Sequence, residues 1–170
     1  MHSDSKKPTI SYPFSMKVID SQRCHVNPIS DLASSSLTSS SSDDEVQTSK
    51  EILASGDEAG RINIWEIKDE ALRLLKVIDT YGDFPVTTLA IWNRIEKGVI
   101  VAGYGSGHLR VFSANSGAIV AEATAHAGWI TGMDLANASG LLATCSEDGF
   151  VRVRKKIQIG SWQVPISYVY

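Results

Sequence analysis

The chain has 170 residues and a formal net charge of −3, enough length for one domain with a real core and no overall basic field to hold nucleic acid or an anionic membrane. Its two cysteines, Cys24 and Cys145, lie far apart and outside any CxxC spacing, which argues against a disulfide framework or a zinc ribbon and for a reducing compartment. No apolar run approaches the ~20 residues that cross a bilayer as a helix, and the first residues carry no apolar signal core, so a cytoplasmic protein is expected, with the nucleus or a peripheral vesicle association also compatible.

In chain order, residues 1–13 are polar with two prolines and read as a flexible N-terminus. "FSMKVID" (14–20) alternates apolar and polar residues as a short strand does, and residues 29–33 form a weaker strand candidate. Over 34–50 the composition collapses to serine, threonine and acid, too little apolar surface to offset the entropy of ordering it, and a disordered insertion is expected there. From Glu51 onward short β-type runs alternate with Gly, Asp, Asn and Ser clusters: "EILASG", "RINIWEI", "LRLLKVI", "VTTLAIW", "GVIVAG", "HLRVF", "AIVAEA", "WITGMDL", "LLATCS" and "FVRVR". "KDEALRLLKVI" also has helical propensity. A strand is preferred because Leu72, Leu74 and Lys76 fall on one side and Arg73, Leu75 and Val77 on the other, with no helical stop signal after them.

Three segments superpose: "LASGDEAGRINIWE" (53–66), "IVAGYGSGHLRVFS" (100–113) and "LATCSEDGFVRVRK" (142–155). Their shared glycines are Gly60, Gly107 and Gly149, a period at or just beyond the ~40–45 residues of a four-stranded propeller blade. On these residues the chain resembles the WD-repeat β-propeller family. The third unit carries most of the pattern, with His126 at the place of the family's loop histidine, Thr144 at the strand Ser/Thr and Asp148 at the turn Asp. The first unit has His25, Ser55 and Trp65, but Ala59 at the Asp position. The second has Ala102, Ser106 and Phe112 and no histidine near Tyr81-Gly82, and the third has Arg154 in place of the indole. The resemblance implies that His25, Ser55, Trp65, His126, Thr144 and Asp148 are blade-bracing residues in buried hydrogen-bond chains, none of them complete. It also implies an all-β fold, a partial propeller of about three four-stranded blades over residues 14–156, with the 34–50 insertion inside it and a divergent tail at 157–170.

Other motifs resolve toward structure. "GYGSGH" has His108 where a dinucleotide loop needs its third glycine and is followed by a strand rather than a helix, so its glycines are read as a turn. His126, Thr144 and Asp148 could be drawn as a hydrolase-like nucleophile, base and acid, but no G-x-S-x-G elbow accompanies them. Cys24-His25 lacks further ligands at metal spacing, so neither a metal nor a cofactor is expected. Ser40, Ser41 and Ser42 each have an acidic residue three positions on, the pattern of phosphosites for acid-directed kinases. "RVRKK" (152–156) reads as a charged strand edge. Trp92, Trp129 and Trp162 read as core or loop packing, Trp129 on a connection open to a partner.

The expected function is a non-enzymatic protein-interaction scaffold, a fragment or short form of a larger propeller, whose partners are other proteins and which self-associates through exposed blade edges. The alternatives are a truncated product without independent function and an enzyme using His126, Thr144 and Asp148.

Overall fold

The computed structural model describes residues 17–18, 20–39, 48–79, 84–93 and 98–155. They form eleven strands: β1 (Ile29–Ser39), β2 (Thr48–Asp57), β3 (Ile62–Lys68), β4 (Ala71–Ile78), β5 (Val86–Trp92), β6 (Val99–Tyr104), β7 (His108–Ser113), β8 (Ile119–Thr124), β9 (Ile130–Ala136), β10 (Leu141–Ser146) and β11 (Val151–Lys155). Each strand pairs antiparallel with the next in sequence inside three separate sheets, β1-β2-β3-β4, β5-β6-β7-β8 and β9-β10-β11. β1 packs on β5 and β5 on β9, so the first strands of the sheets line one side of an unclosed series.

The serine tract departs from the expected disordered insertion over 34–50. Residues 34–39 belong to β1 and residues 48–50 to β2, in register from Ser34↔Leu53 to Ser39↔Thr48, while 40–47 lie outside the described residues. The physical reason is a period of two. Asp31, Ala33, Ser35 and Leu37 are half-buried while Leu32, Ser34 and Ser36 are exposed, and Ala33 and Leu37 reach the core between the first and second sheets. Two apolar anchors and an antiparallel partner suffice to order a polar strand whose other face is wet. "FSMKVID" is not a strand where it is described. Lys17, Val18 and Asp20 lie outside regular structure, and an Asp20 carboxylate oxygen accepts the Leu72 N–H at 2.8 Å. The N-terminus at 1–13 and the tail at 157–170 lie outside the described residues.

Two clusters make the core, one at each junction between sheets. Ile52, Ala54, Ile62 and Ile64 of the first sheet meet Ile91, Ile100, Ala102, Tyr104 and Phe112 of the second. Val99, Val101, Leu109 and Val111 on the other face of the second sheet meet Ile130 and Leu142 of the third. The middle sheet is therefore apolar on both faces, and all six residues of β6 are buried. Such burial is worth about 25 cal/mol per Å2 of apolar surface and favours stacking over leaving any sheet alone.

The helical alternative for 68–78 gives way to a hairpin. Lys68 pairs with Ala71 across a two-residue turn in which Asp69 and Glu70 both have positive φ, 51° and 59°. That conformation matches the twist of the flanking strands, but costs a residue with a Cβ roughly 1–2 kcal/mol. Replacing Glu70 with glycine is expected to raise stability by about 1 kcal/mol, read as a higher urea midpoint at unchanged m-value.

Candidate functional site

In each sheet the turn after the second strand meets the segment that leads into the first strand, and one backbone bond recurs there. The N–H groups of Glu58, Gly105 and Glu147 donate to the carbonyls of Pro28, Pro85 and Trp129, each at 3.0 Å. These three donors lie three residues beyond Ser55, Ala102 and Thr144, and the three acceptors each precede the first residue of β1, β5 or β9. All six connections are thereby gathered at one end of the sheets, and the histidines of the sequence reading lie there.

In the first sheet His25 Nδ1 is 2.8 Å from Asp57 Oδ2, His25 Nε2 is 2.8 Å from Ser55 Oγ, and Trp65 Nε1–H donates to Ser55 Oγ at 2.9 Å. A carboxylate only accepts, so the ring proton sits on Nδ1, Nε2 accepts the Ser55 hydroxyl, and that hydroxyl accepts the indole N–H. The chain of donors is complete: the missing carboxylate is Asp57, the last residue of β2 and two positions before Ala59. Its other oxygen accepts the N–H of Ala59 and of Arg61, both at 3.0 Å, so it also shapes the turn. Alignment by the glycine hid Asp57. The usable signal was its place beside Gly56 at the inner end of a strand, where an unpaired carboxylate would be costly.

In the third sheet the same chain runs from Arg154 to Thr144, His126 and Asp148. Arg154 Nη1 donates to Thr144 Oγ1 at 2.6 Å and its Nη2 to the Ala125 carbonyl at 2.8 Å. Thr144 Oγ1 is 2.8 Å from His126 Nε2, and His126 Nδ1 is 3.0 and 3.1 Å from the two Asp148 oxygens. The guanidinium thus does the work of the indole. Arg152 joins through Asp148 Oδ2 at 2.7 Å, lies against His126 Nδ1, and stacks 4.7 Å from the Phe150 ring centroid. The "RVRKK" run is therefore not a solvent-facing charged edge: Arg154 is buried, Arg152 is half-buried, Lys155 is exposed, and Lys156 lies outside the described residues.

Burial pushes His126 down and the Asp148 carboxylate opposes it, while Arg152 and Arg154 add to the lowering, so the imidazole titrates below its usual 6.5. Burial works against the Asp148 charge, but the Arg152 guanidinium and the N–H groups of Ala127 and Phe150 outweigh it and hold the carboxyl well below its usual range. Arg154 is lowered by burial and then by Arg152.

The second sheet has no such chain among the described residues. Ala102 stands at the hydroxyl position, Tyr104 at the place of Asp57 and Phe112 at the place of Trp65, all buried against the first sheet. Burial pushes the Tyr104 phenol up, and Arg110 lies 4.6 Å from its ring centroid. The glycine-rich turn has a packing role instead. Gly107 has φ of 79°, its carbonyl accepts the N–H of both Ala125 and His126 at 2.9 and 3.0 Å, and a Cβ there would overlap the His126 carbonyl oxygen. The turn of one sheet thus seats the histidine loop of the next.

The described residues hold no group of three or more His, Cys, Asp or Glu placed to bind a metal, and both cysteines are free thiols. Ser40, Ser41, Ser42 and Trp162 lie outside the described residues; Trp92 is in the core, and Trp129 is largely exposed. No helix among the described residues is long and apolar enough to cross a membrane.

The WDR54 family model matches residues 13–162. WD repeat-containing protein 54 of Mus musculus is 30% identical over 131 residues, 77% of this chain and 35% of that protein. The human protein of the same name is 32% identical over 103 residues, 61% of this chain and 29% of its own length. The chain spans about a third of the length of these relatives. Among solved structures, the computationally designed Ika4 protein superposes with a TM-score of 0.62 at 21% identity, covering 91% of this chain and 80% of that one. A chain of apo ctPRC2 in an autoinhibited state gives 0.56 at 14% identity, over 74% of this chain and 27% of its own. These likenesses and the three unclosed sheets define an all-β partial propeller.

Two measurements probe this end of the molecule. Gly107→Ala is expected to cost more than about 3 kcal/mol in urea denaturation, combining positive-φ strain with a backbone clash. Gly149→Ala, whose φ of 80° is equally unfavourable but whose Cβ meets nothing within 4 Å, should cost only about 1–2 kcal/mol. For acid, both His126 and Asp148 bind fewer protons folded than unfolded. Their stabilising contribution is therefore complete above 6.5, declines as pH falls from there through the lowered His126 value, and declines again below the usual carboxylate value of 3.8. The urea midpoint should fall accordingly, and His126→Gln should flatten the first of the two declines.

Proposed function

The chain belongs to the WDR54 family of WD-repeat proteins, and from that premise we propose that it is a non-catalytic module that binds other proteins through the loop-bearing end of its sheets. The observation that carries this reading is the apolar surface on those connections. Val26, Phe84, Trp129 and Phe150 are exposed there, on the segments before β1, β5 and β9 and on the turn before β11. The Trp129 ring lies beside Gly105, against which Pro85 also packs, so it is held by neighbouring connections rather than free to swing. Aromatic side chains fixed on loops and rimmed by polar residues are what protein interfaces use as anchors.

The enzyme reading loses support from the same geometry. Thr144 is buried at 1% exposure and its hydroxyl oxygen already accepts from the buried Arg154 guanidinium, so no open path leads a substrate to it. The two donor chains are better read as braces, each tying the segment before a first strand to the second and third strands of the same sheet. The relatives' greater length supports placing these three sheets within a larger propeller whose other blades would extend the same end. The two free thiols support a reducing compartment, the cytoplasm in the first instance.

The test is quantitative capture from cytosolic extract by the 170-residue chain and by a Phe84→Ala, Trp129→Ala variant. Loss of two anchors should weaken retention of specific partners by tenfold or more while the thermal melt stays within about 2 °C, since exposed side chains contribute little to the fold. Retention unchanged by the double variant would move the binding surface elsewhere.

A further inference from the structure

Two aromatic rings of the second and third sheets carry a guanidinium, and in both cases a carboxylate holds the same guanidinium. Arg110 lies 4.6 Å from the Tyr104 ring centroid, and its Nε donates to Glu122 at 2.9 Å. Arg152 lies 4.7 Å from the Phe150 ring centroid, and its Nη1 donates to Asp148 at 2.7 Å. The cause is electrostatic. The face of a ring carries partial negative charge, and a carboxylate beside it supplies the full charge that the ring lacks.

A third ring, at the loop-bearing end, has the same surroundings without the cation. The Trp129 atoms nearest to a Cβ placed on Gly105 are Cε2 and Cδ2, at 3.1 and 3.2 Å. These two atoms are shared by both rings of the indole, and only an approach from above the ring plane reaches them first. One face of the indole therefore lies flat on the Gly105 backbone, with Pro85 Cγ 3.2 Å from the same point. With 46% of its surface exposed, Trp129 turns the other face to solvent.

Glu147 supplies the carboxylate. Its N–H donates to the Trp129 carbonyl at 3.0 Å, its Cβ is 3.7 Å from the place of a Cβ on Gly128, and its side chain is exposed. Among the described residues no cation pairs with this carboxylate, Arg152 being held by Asp148 and Phe150 instead. The combination of ring and acid occurs once in the three units. Glu58, in the place of Glu147, donates to Pro28 in the place of Trp129, and the second unit has Gly105 and Pro85 at these positions.

We propose that the open face of Trp129 and the Glu147 carboxylate together take an arginine side chain of a partner protein, the guanidinium lying on the indole and donating to the carboxylate. This rests on the reading of the loop-bearing end as a protein-binding surface and names the chemistry that the surface selects. Arginine fits because a planar guanidinium stacks on a ring face and keeps N–H groups in its own plane to reach an acid at the rim, as Arg110 and Arg152 do within the chain. The net charge of −3 favours the approach of a cationic segment. Phe84, exposed on the same connection as Pro85, is placed to meet an apolar residue flanking that arginine.

The test is selection of a displayed random-peptide library on the 170-residue chain, with the enriched sequences measured as synthetic peptides by fluorescence anisotropy. They should share an arginine beside apolar residues. Replacing that arginine with citrulline, which keeps its shape and loses its charge, should weaken binding about tenfold or more. Glu147→Gln in the chain should do the same, and the two changes together should weaken binding little further than either alone. Trp129→Leu, which keeps apolar bulk and loses the ring face, should weaken the arginine peptide more than its citrulline form. Glu58→Gln should leave binding within about twofold, which separates a local pair from the general acidity of the chain. Thermal melts of the two glutamate variants within about 2 °C of the parent show that the fold is kept. Enriched peptides without a common arginine, or arginine peptides indifferent to Glu147→Gln, overturn the proposal. If such peptides still lose binding in the Phe84→Ala, Trp129→Ala variant, the loop-bearing end remains the protein-binding surface and only its selection of a cation falls. Peptides that need neither Phe84 nor Trp129, or no enrichment at all, overturn both readings.

Discussion

Each sheet in this protein is apolar on the faces that meet a neighbour, so what holds a sheet is set by how many of its faces are covered. That constraint orders the rest. The middle sheet, covered on both sides within the chain, dispenses with polar bracing and fills the positions of Ser55, Asp57 and Trp65 with Ala102, Tyr104 and Phe112. The outer sheets each keep one face without a full neighbouring sheet, and these are the two that carry a buried chain of hydrogen bonds. Where apolar contact cannot hold the segment before the first strand, directed bonds from the second and third strands do.

The two chains share a direction of donation rather than a set of residues. An N–H donor on the third strand points at a hydroxyl, the hydroxyl at Nε2, and Nδ1–H at a carboxylate, whether the donor is Trp65 or Arg154 and whether the acid is Asp57 or Asp148. A histidine with its proton on Nδ1 fits both because the ring donates at one nitrogen and accepts at the other. The Arg154 version has a cost that the Trp65 version lacks. Among the described residues the buried guanidinium has a hydroxyl and a carbonyl as partners and no carboxylate of its own, Asp148 being shared by Arg152 and His126 instead.

The fold was legible because strand-length alternation and the glycine ruler are local properties: the ten runs from Glu51 onward are all strands, and the three units fall where Gly60, Gly107 and Gly149 place them. The strand through the serines was not, since its order comes from a partner strand and from Ala33 and Leu37 reaching across to the next sheet. Asp57 was missed for a related reason. An acid can reach the same imidazole from the strand end or from the turn, and counting positions cannot distinguish two routes that end at the same atom. Arg152 and Arg154 looked like edge charges because alternation assigns sides to residues without saying which side is inside.

Glycine shows the same limit from the other direction. A backbone that must be approached closely needs glycine whether the visitor is a pyrophosphate or another loop, and sequence alone reports the need without the visitor. At Gly107 the visitor is the loop that carries His126, whose N–H and that of Ala125 converge on one carbonyl. The middle unit, poorest in bracing side chains of its own, therefore anchors the brace of the unit after it. Bracing is in this sense a property of junctions: the residues that hold the third sheet's histidine in place lie partly on the second sheet, and any chain that completes the series must supply a turn of the same shape to whatever follows it.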